Sequence, residues 1–479
     1  MPIEKAQPTS RTLKRLRLLA LLLTSALLAA ACGGGDSDSD SGSEGDESSC
    51  QVDVLNDVSE PVEIVFWHAM TAANETTINS MARDYNSAQD KVAVSLVNQT
   101  SYAVNFDTYR NASVADRPNI IQLEETALQS MIDSGTTIAV QACVDAAGYS
   151  FDDHLPRVVD AFTVDEVLWP MPFNISNPVL WYDGAAFTAA GLDPDDPPET
   201  LEELRETAEA LVASGSAGFA FDTSASSFSW IVEQLLAKAG IPYVDTDNGR
   251  SGAATQVQFD SASMVEIITF FRDMTADGLA VNTGSNPDGT ANFFAFLADP
   301  PASMTINTSA ALSSVLQQLP ILGPHLEMRV APLPSLSLPD EGGAMVGGAA
   351  LWLPAEKTAA ETAAAWDFVR WLNEPQQQAT WHIGSGYLPI RRSAAELPEV
   401  ATAWADQPAY RVPFDQLLAG TESVASAGPV IGPHTLIRDE LVSGLERVLL
   451  EGQDPAEMVS QFEEAANELI ADYTRRTGG

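Results

Sequence analysis

From residue 62 onward, runs of β-branched and aromatic residues alternate with stretches whose apolar side chains recur at helical spacing. This alternation constrains the fold more than any other feature of the chain. Val62-Glu63-Ile64-Val65-Phe66-Trp67 reads as a buried strand, Ile78, Met81, Ala82 and Tyr85 then share one helix face, and 92–97 and 118–123 return as strands. Such a rhythm builds an α/β sheet with parallel neighbours and helices on its faces. A second block begins at Pro178-Val179-Leu180-Trp181-Tyr182. In it Thr200 and Glu203 fit a capping box ahead of a helix that starts at Leu201, and a helix carrying Phe270 and Phe271 should stop at Asp277-Gly278. Met304-Thr305-Ile306 and 344–353 read as two further buried strands, and 358–373, 435–450 and 456–476 as helices. A single core rarely grows past about 250–300 residues, so a 479-residue chain with 45% hydrophobic residues should form two α/β lobes.

The N-terminus sets the compartment. Lys5, Arg11, Lys14, Arg15 and Arg17 precede an apolar run over 18–31, and Ala29-Ala30-Ala31 lead into Cys32. Fourteen residues at about 1.5 Å each fall short of a hydrocarbon core of about 30 Å, so 1–31 read as an export signal peptide. The Leu-Leu-Ala-Ala-Ala-Cys ending resembles a bacterial lipobox, departing from it at Ala29, and implies a lipid on Cys32 and an anchor in the membrane. Residues 33–49 carry no apolar side chain and should form an extended acidic tether. Beyond it stand Cys50 and Cys143. In an exported chain these two are expected to form a disulfide rather than a metal site or a reactive thiol.

Charge excludes one class of function. With 24 Lys+Arg against 66 Asp+Glu the formal net charge is −42, and loss of residues 1–31, with five bases and one acid, would leave −46. Such a surface repels phosphate backbones, which excludes nucleic acid as a partner. Catalytic machinery is not visible. No dinucleotide or phosphate-loop glycine motif and no Gly-x-Ser-x-Gly elbow is present, so neither an enzyme nor a cofactor is expected. The histidines at 68, 154, 325, 382 and 434 lack metal-ligand spacing. Glu124 and Glu125, adjacent at a strand end, should point to opposite faces and not converge as a glycosidase pair.

The positive signal lies at strand ends and turns, where open α/β sheets bind ligands. Phe66-Trp67-His68-Ala69-Met70, Asn174 to Tyr182, Ala189-Ala190-Gly191-Leu192-Asp193-Pro194, Gly347 to Trp352 and Gly386-Tyr387-Leu388-Pro389-Ile390 follow one another in order over residues 62–475. Together they resemble the family 1 extracellular solute-binding proteins of ABC importers, and within it the glycerol-3-phosphate binders. The resemblance implies a type II periplasmic-binding-protein fold with a ligand cleft between lobes that close on a solute. It implies an N-terminal lobe of 50–173 and 302–345, a C-terminal lobe of 174–301 and 346–479, and crossings near Phe173, Ala302 and Met345. A monomer that delivers its solute to the permease subunits is expected.

By motif position the resemblance places the ligand contacts on Tyr102, Glu125, Ser176, Thr308, Gly348, Tyr387 and Arg438. Arg438, a planar cation, could take two phosphate oxygens at once. Ser176, Thr308, Tyr387 and the Gly348 N–H could donate to others, and Glu125 and Tyr102 suit the hydroxyls of a glycerol or sugar end. Replacing Arg438 by alanine should then abolish phosphate-ester binding and leave the fold intact. Those binders carry a tryptophan wall that falls here on Ser227, beside Phe228 and ahead of the matching Trp230. Its loss widens the cleft and makes room for glycerophosphodiesters such as glycerophosphocholine, with an aromatic face for the quaternary ammonium. A di- or oligosaccharide is the alternative cargo, with Trp67, Trp181 and Trp230 as possible stacking faces. An exported glycan-active enzyme is the remote one.

Overall fold

The computed structural model describes residues 50–286 and 291–478, so the leader, Cys32 and the acidic tether lie outside the described residues. Two sheets organise the body. In the first, β1 (Val62–His68), β2 (Val92–Asn98) and β3 (Ile120–Glu124) run parallel, joined by helices α1 (Ala72–Ala88) and α2 (Tyr102–Asn111). The face of α1 that carries Ile78, Met81, Ala82 and Tyr85 is buried, as its spacing predicts. β4 (Met171–Ser176) belongs to the same sheet. After the single residue Asn177, β5 (Pro178–Asp183) opens the second sheet. Helix α3 (Leu201–Ala213) follows, started by the reciprocal Thr200–Glu203 capping box. β6 (Phe219–Phe221), α4 (Trp230–Lys238), α5 (Ser261–Ala276), β7 (Ala280–Asn282), β8 (Met304–Thr308) and β9 (Met328–Pro332) come next. The second sheet has the order β7-β6-β8-β5-β9, with β5 antiparallel to both its neighbours.

β10 (Gly347–Pro354) returns to the first sheet, where it lies antiparallel between β3 and β4. Helices α6 (Ala359–Leu372) and α7 (Pro375–Ser385) pack on this sheet through Trp366, Phe368, Val369, Leu372 and Trp381. Helices α8 (His434–Glu446) and α9 (Pro455–Thr477) pack on the second through Ile437, Leu441, Met458 and Phe462. The expected lobe boundaries are corrected here. Residues 304–332 pair with β5 and belong with the second lobe, whereas 347–390 belong with the first. No crossing occurs near Ala302, because β7 and β8 lie in one sheet. The chain crosses at Asn177, between β9 and β10, and again between α7 and α8. Burial marks 304–308 and 347–354 as strands, but only the hydrogen-bond ladder decides which sheet takes each.

Cys50 and Cys143 form the expected disulfide, with Cα atoms 4.8 Å apart, across 93 residues of chain. A loop of that length limits the unfolded ensemble by about 4–5 kcal/mol on the chain-entropy account. Among the described residues, no helix is long and apolar enough to cross a membrane.

Candidate functional site

The carboxyl ends of the parallel strands in both sheets point to the same place. In the first sheet these are His68, Asn98 and Glu124. Gly347, at the start of antiparallel β10, pairs with Ser176 at the end of β4. In the second they are Phe221, Asn282 and Thr308, and Thr308 pairs with Pro178 at the start of β5. One residue separates Ser176 from Pro178, so the two sheet ends meet at that crossing. This is the topological position for a ligand in open α/β sheets.

From the first lobe, Tyr102 opens α2 and Tyr387 follows the Gly386 cap of α7. Their hydroxyls are 3.3 Å apart. Asn174 donates to the Tyr102 hydroxyl at 2.9 Å and accepts from Gln122 Nε2 at 2.7 Å. Burial raises Tyr102 well above the ordinary phenol value and raises Tyr387 too, so both stay neutral donors. Trp404 Nε1 donates to His382 Nε2 at 2.8 Å, which leaves the His382 Nδ1–H to donate to the Tyr387 carbonyl at 2.7 Å. Burial holds His382 down at about 4, in that neutral form.

The charged half of the site joins the two lobes. Arg438, on α8, is buried, as is its main partner Glu233 on α4. Arg438 Nε donates to Glu233 Oε1 at 2.8 Å and Nη2 to Oε2 at 2.6 Å. The same Nη2 reaches Glu125 Oε1 of the first lobe at 3.0 Å. His434, one helical turn before Arg438, lies 2.9 Å from Glu233 Oε1. Burial alone would raise the Glu233 carboxyl; Arg438 and His434 outweigh it and hold the group at about 2. Burial and then the charge of Glu125 push Glu124 up to about 7, against the pull of Arg438. Glu124 and Glu125 also bear on the Tyr387 hydroxyl, so the tyrosines and the charges form one site.

Gly348 adopts φ +100°, and a Cβ there would come within 2.1 Å of the Asn174 carbonyl oxygen. The Trp230 ring lies against Gly347, where an added Cβ would meet it at 2.5 Å, and the buried Trp230 Nε1 has no partner among the described residues. The Thr308 hydroxyl accepts from Ala310 N at 3.1 Å and so caps the turn that follows β8. Ser227 is buried on the turn before α4, beside the Asp222 carboxylate.

Tyr102 with Tyr387, Glu125 with Arg438, and Ser176 with the Gly347–Gly348 turn are thus brought together, and Thr308 lies at the crossing. Three expectations fail. Glu124 and Glu125 do not diverge, because the chain enters a short helical turn after Glu124 and both carboxyls bear on Tyr387 and Arg438. Phe228 is 1% exposed and packs edge-on to Phe271 at 4.9 Å, because its turn feeds the second lobe's core, so it offers no face to a ligand. Trp181 is likewise fully buried, and its Nε1 donates to the Asn307 carbonyl at 3.4 Å. Glu233, Glu124, Asn174 and Gln122 were not among the expected contacts. A glutamate inside α4, where all nine residues are buried, was the available signal for the first. Among the described residues no group of His, Cys, Asp and Glu could hold a metal ion.

Residues 80–410 match the family model described as bacterial extracellular solute-binding protein. The sn-glycerol-3-phosphate-binding periplasmic protein UgpB of Pectobacterium atrosepticum is 27% identical over 425 residues, covering 87% of this chain and 93% of that protein. The structure of UgpB from Mycobacterium tuberculosis in complex with glycerophosphocholine superposes with a TM-score of 0.72 at 21% identity, covering 87% of this chain and 99% of that one. The sugar-binding protein MalE from Xanthomonas citri superposes at 0.67 with 22% identity, covering 87% and 98%.

Proposed function

Because the chain belongs to the bacterial extracellular solute-binding proteins, a family of binding proteins and not of enzymes, we propose that it is the receptor of an ABC importer for a glycerophosphate ester, with a glycerophosphodiester preferred. It is exported, held to the membrane by a lipid on Cys32, and acts as a monomer that closes its lobes on the solute and presents it to the permease. The observation that carries the cargo is Arg438. This buried guanidinium is fixed by Glu233 and reaches across to Glu125, and its Nη1 donates to no protein group among the described residues. A phosphate oxygen can take that open edge. Glu125, Tyr102, Tyr387 and Ser176 would receive the glycerol hydroxyls and remaining oxygens. The names of the UgpB relatives support the same reading. Ser227, small where the glycerol-3-phosphate binders carry tryptophan, leaves room for a head group beyond the phosphate.

Sugar binding is the second reading, favoured by the likeness to MalE and by the paired tyrosines and carboxylates, which also suit ring hydroxyls. A thermal-shift comparison with glycerol-3-phosphate, glycerophosphocholine and maltose separates the two. At 100 times Kd a ligand stabilises by about 2.7 kcal/mol, which moves the midpoint by about 5–10 °C for lobes of this size. A shift with a phosphate ester is expected. A shift with maltose alone would overturn the glycerophosphate cargo and leave the receptor role in place.

A further inference from the structure

Arg438 is committed on three of its five N–H groups. Glu233 takes Nε and one N–H of Nη2, and Glu125 takes the other. Of its nitrogens only Nη1 has no partner among the described residues, and it is not sealed from solvent. The bidentate grip of Glu233 fixes the guanidinium plane, and with it the direction of Nη1. Glu233 is itself locked, with its side chain 0% exposed and Oε1 shared with His434.

The same contacts set the charge. One guanidinium faces Glu233 and Glu125, with Glu124 close by, so its positive charge is already overcompensated. A ligand oxygen arriving at Nη1 gains a charge-assisted hydrogen bond but meets no net positive field. A phosphodiester carries one negative charge, whereas a phosphomonoester, with a second pKa of about 6, carries close to two above neutral pH. The second charge is repelled by carboxylates in a site of low effective dielectric, where one unit charge a few ångströms away changes affinity by about tenfold or more.

We infer that Glu233 is the positioning and charge-setting residue of the site: it aims Arg438 Nη1 at the ligand and makes the site accept a singly charged phosphodiester over a doubly charged phosphomonoester. The inference rests on the phosphate-ester reading above. The test is titration calorimetry of the full chain at pH 8 with sn-glycerol-3-phosphate and with its methyl diester, which share the glycerol end and differ by one charge. The wild type should favour the diester by about tenfold or more. Glu233→Gln, which keeps the shape but removes the charge and one of the two oxygens that accept from Arg438, should bring the ratio toward one by costing the diester more than the monoester. A purely structural role would weaken both esters alike. Equal affinities in the wild type, or an unchanged ratio in Glu233→Gln, would overturn the inference while the cargo reading stands. If Glu233→Gln does not fold, the wild-type ratio alone decides. Binding of neither ester by the wild type would overturn the cargo reading, and this inference with it.

Discussion

Arg438 shows why a motif position and a structural position make different predictions. Read from its motif, it is a ligand contact that alanine should remove without harm to the fold. In the structure it is also the counter-ion of a fully buried carboxylate. Arg438→Ala therefore strands Glu233, and breaking a buried pair in this way costs about 3–5 kcal/mol. Urea denaturation should show that loss, and calorimetry should show no phosphate-ester binding. Arg438→Lys keeps the charge but cannot hold both Glu233 oxygens, so it should recover most of the stability and little of the affinity. Native stability in the alanine variant would show that Glu233 finds another partner or a proton. Seven candidate residues could be named from the sequence by their place in recognisable motifs. Glu233 could not, because nothing in a helical apolar run says that its one acid faces an arginine 205 residues away.

Among the elements, those with local signals were legible. The Thr200 capping box, the buried face of α1 and the stop at Asp277-Gly278 all rest on residues within a few positions of one another, and all three are present. Sheet membership rests on ladders between strands far apart in sequence. That is why β8 and β10 were placed in the wrong lobes although their existence and approximate spans were correct. The Gly347-Gly348 start of β10 carries a prediction at this scale. Alanine at 348 would be held at φ +100° with its Cβ 2.1 Å from the backbone oxygen of Asn174 on the neighbouring strand. A strained left-handed residue and an overpacked contact together should cost about 2–4 kcal/mol. Because Asn174 orients the Tyr102 hydroxyl, ligand affinity should fall as well. A variant as stable as the wild type would mean that β4 and β10 separate easily here.

For the whole molecule, the buried titratable groups fix how stability follows pH. Burial lowers His68, His154 and His382 to about 4 each, from an ordinary 6.5. Their stabilising contribution is complete above about 6.5 and is lost as pH falls toward 4, where unfolding lets each take up a proton. Glu124, raised to about 7, acts in the opposite sense: its contribution is present below about 4.5 and is lost as pH rises to 7. Between about pH 4.5 and 6.5 these four groups together give a net uptake of about two protons on unfolding, so stability should fall as the medium is acidified. Glu233, held at about 2, adds a further loss only below about 4.5. Urea midpoints measured from pH 8 to pH 4 would trace this. A flat profile across that span would show that the histidines are solvated.

The disulfide divides mechanical labour between the lobes. Cys143 sits in the core of the first lobe, and Cys50 is the first described residue of the chain. A pull on the polypeptide upstream of residue 50 is therefore carried by a covalent staple into the first lobe's interior, without loading the crossing at Asn177 or the Glu125–Arg438 contact. Whatever holds the chain from its N-terminal side is tied covalently into the first lobe.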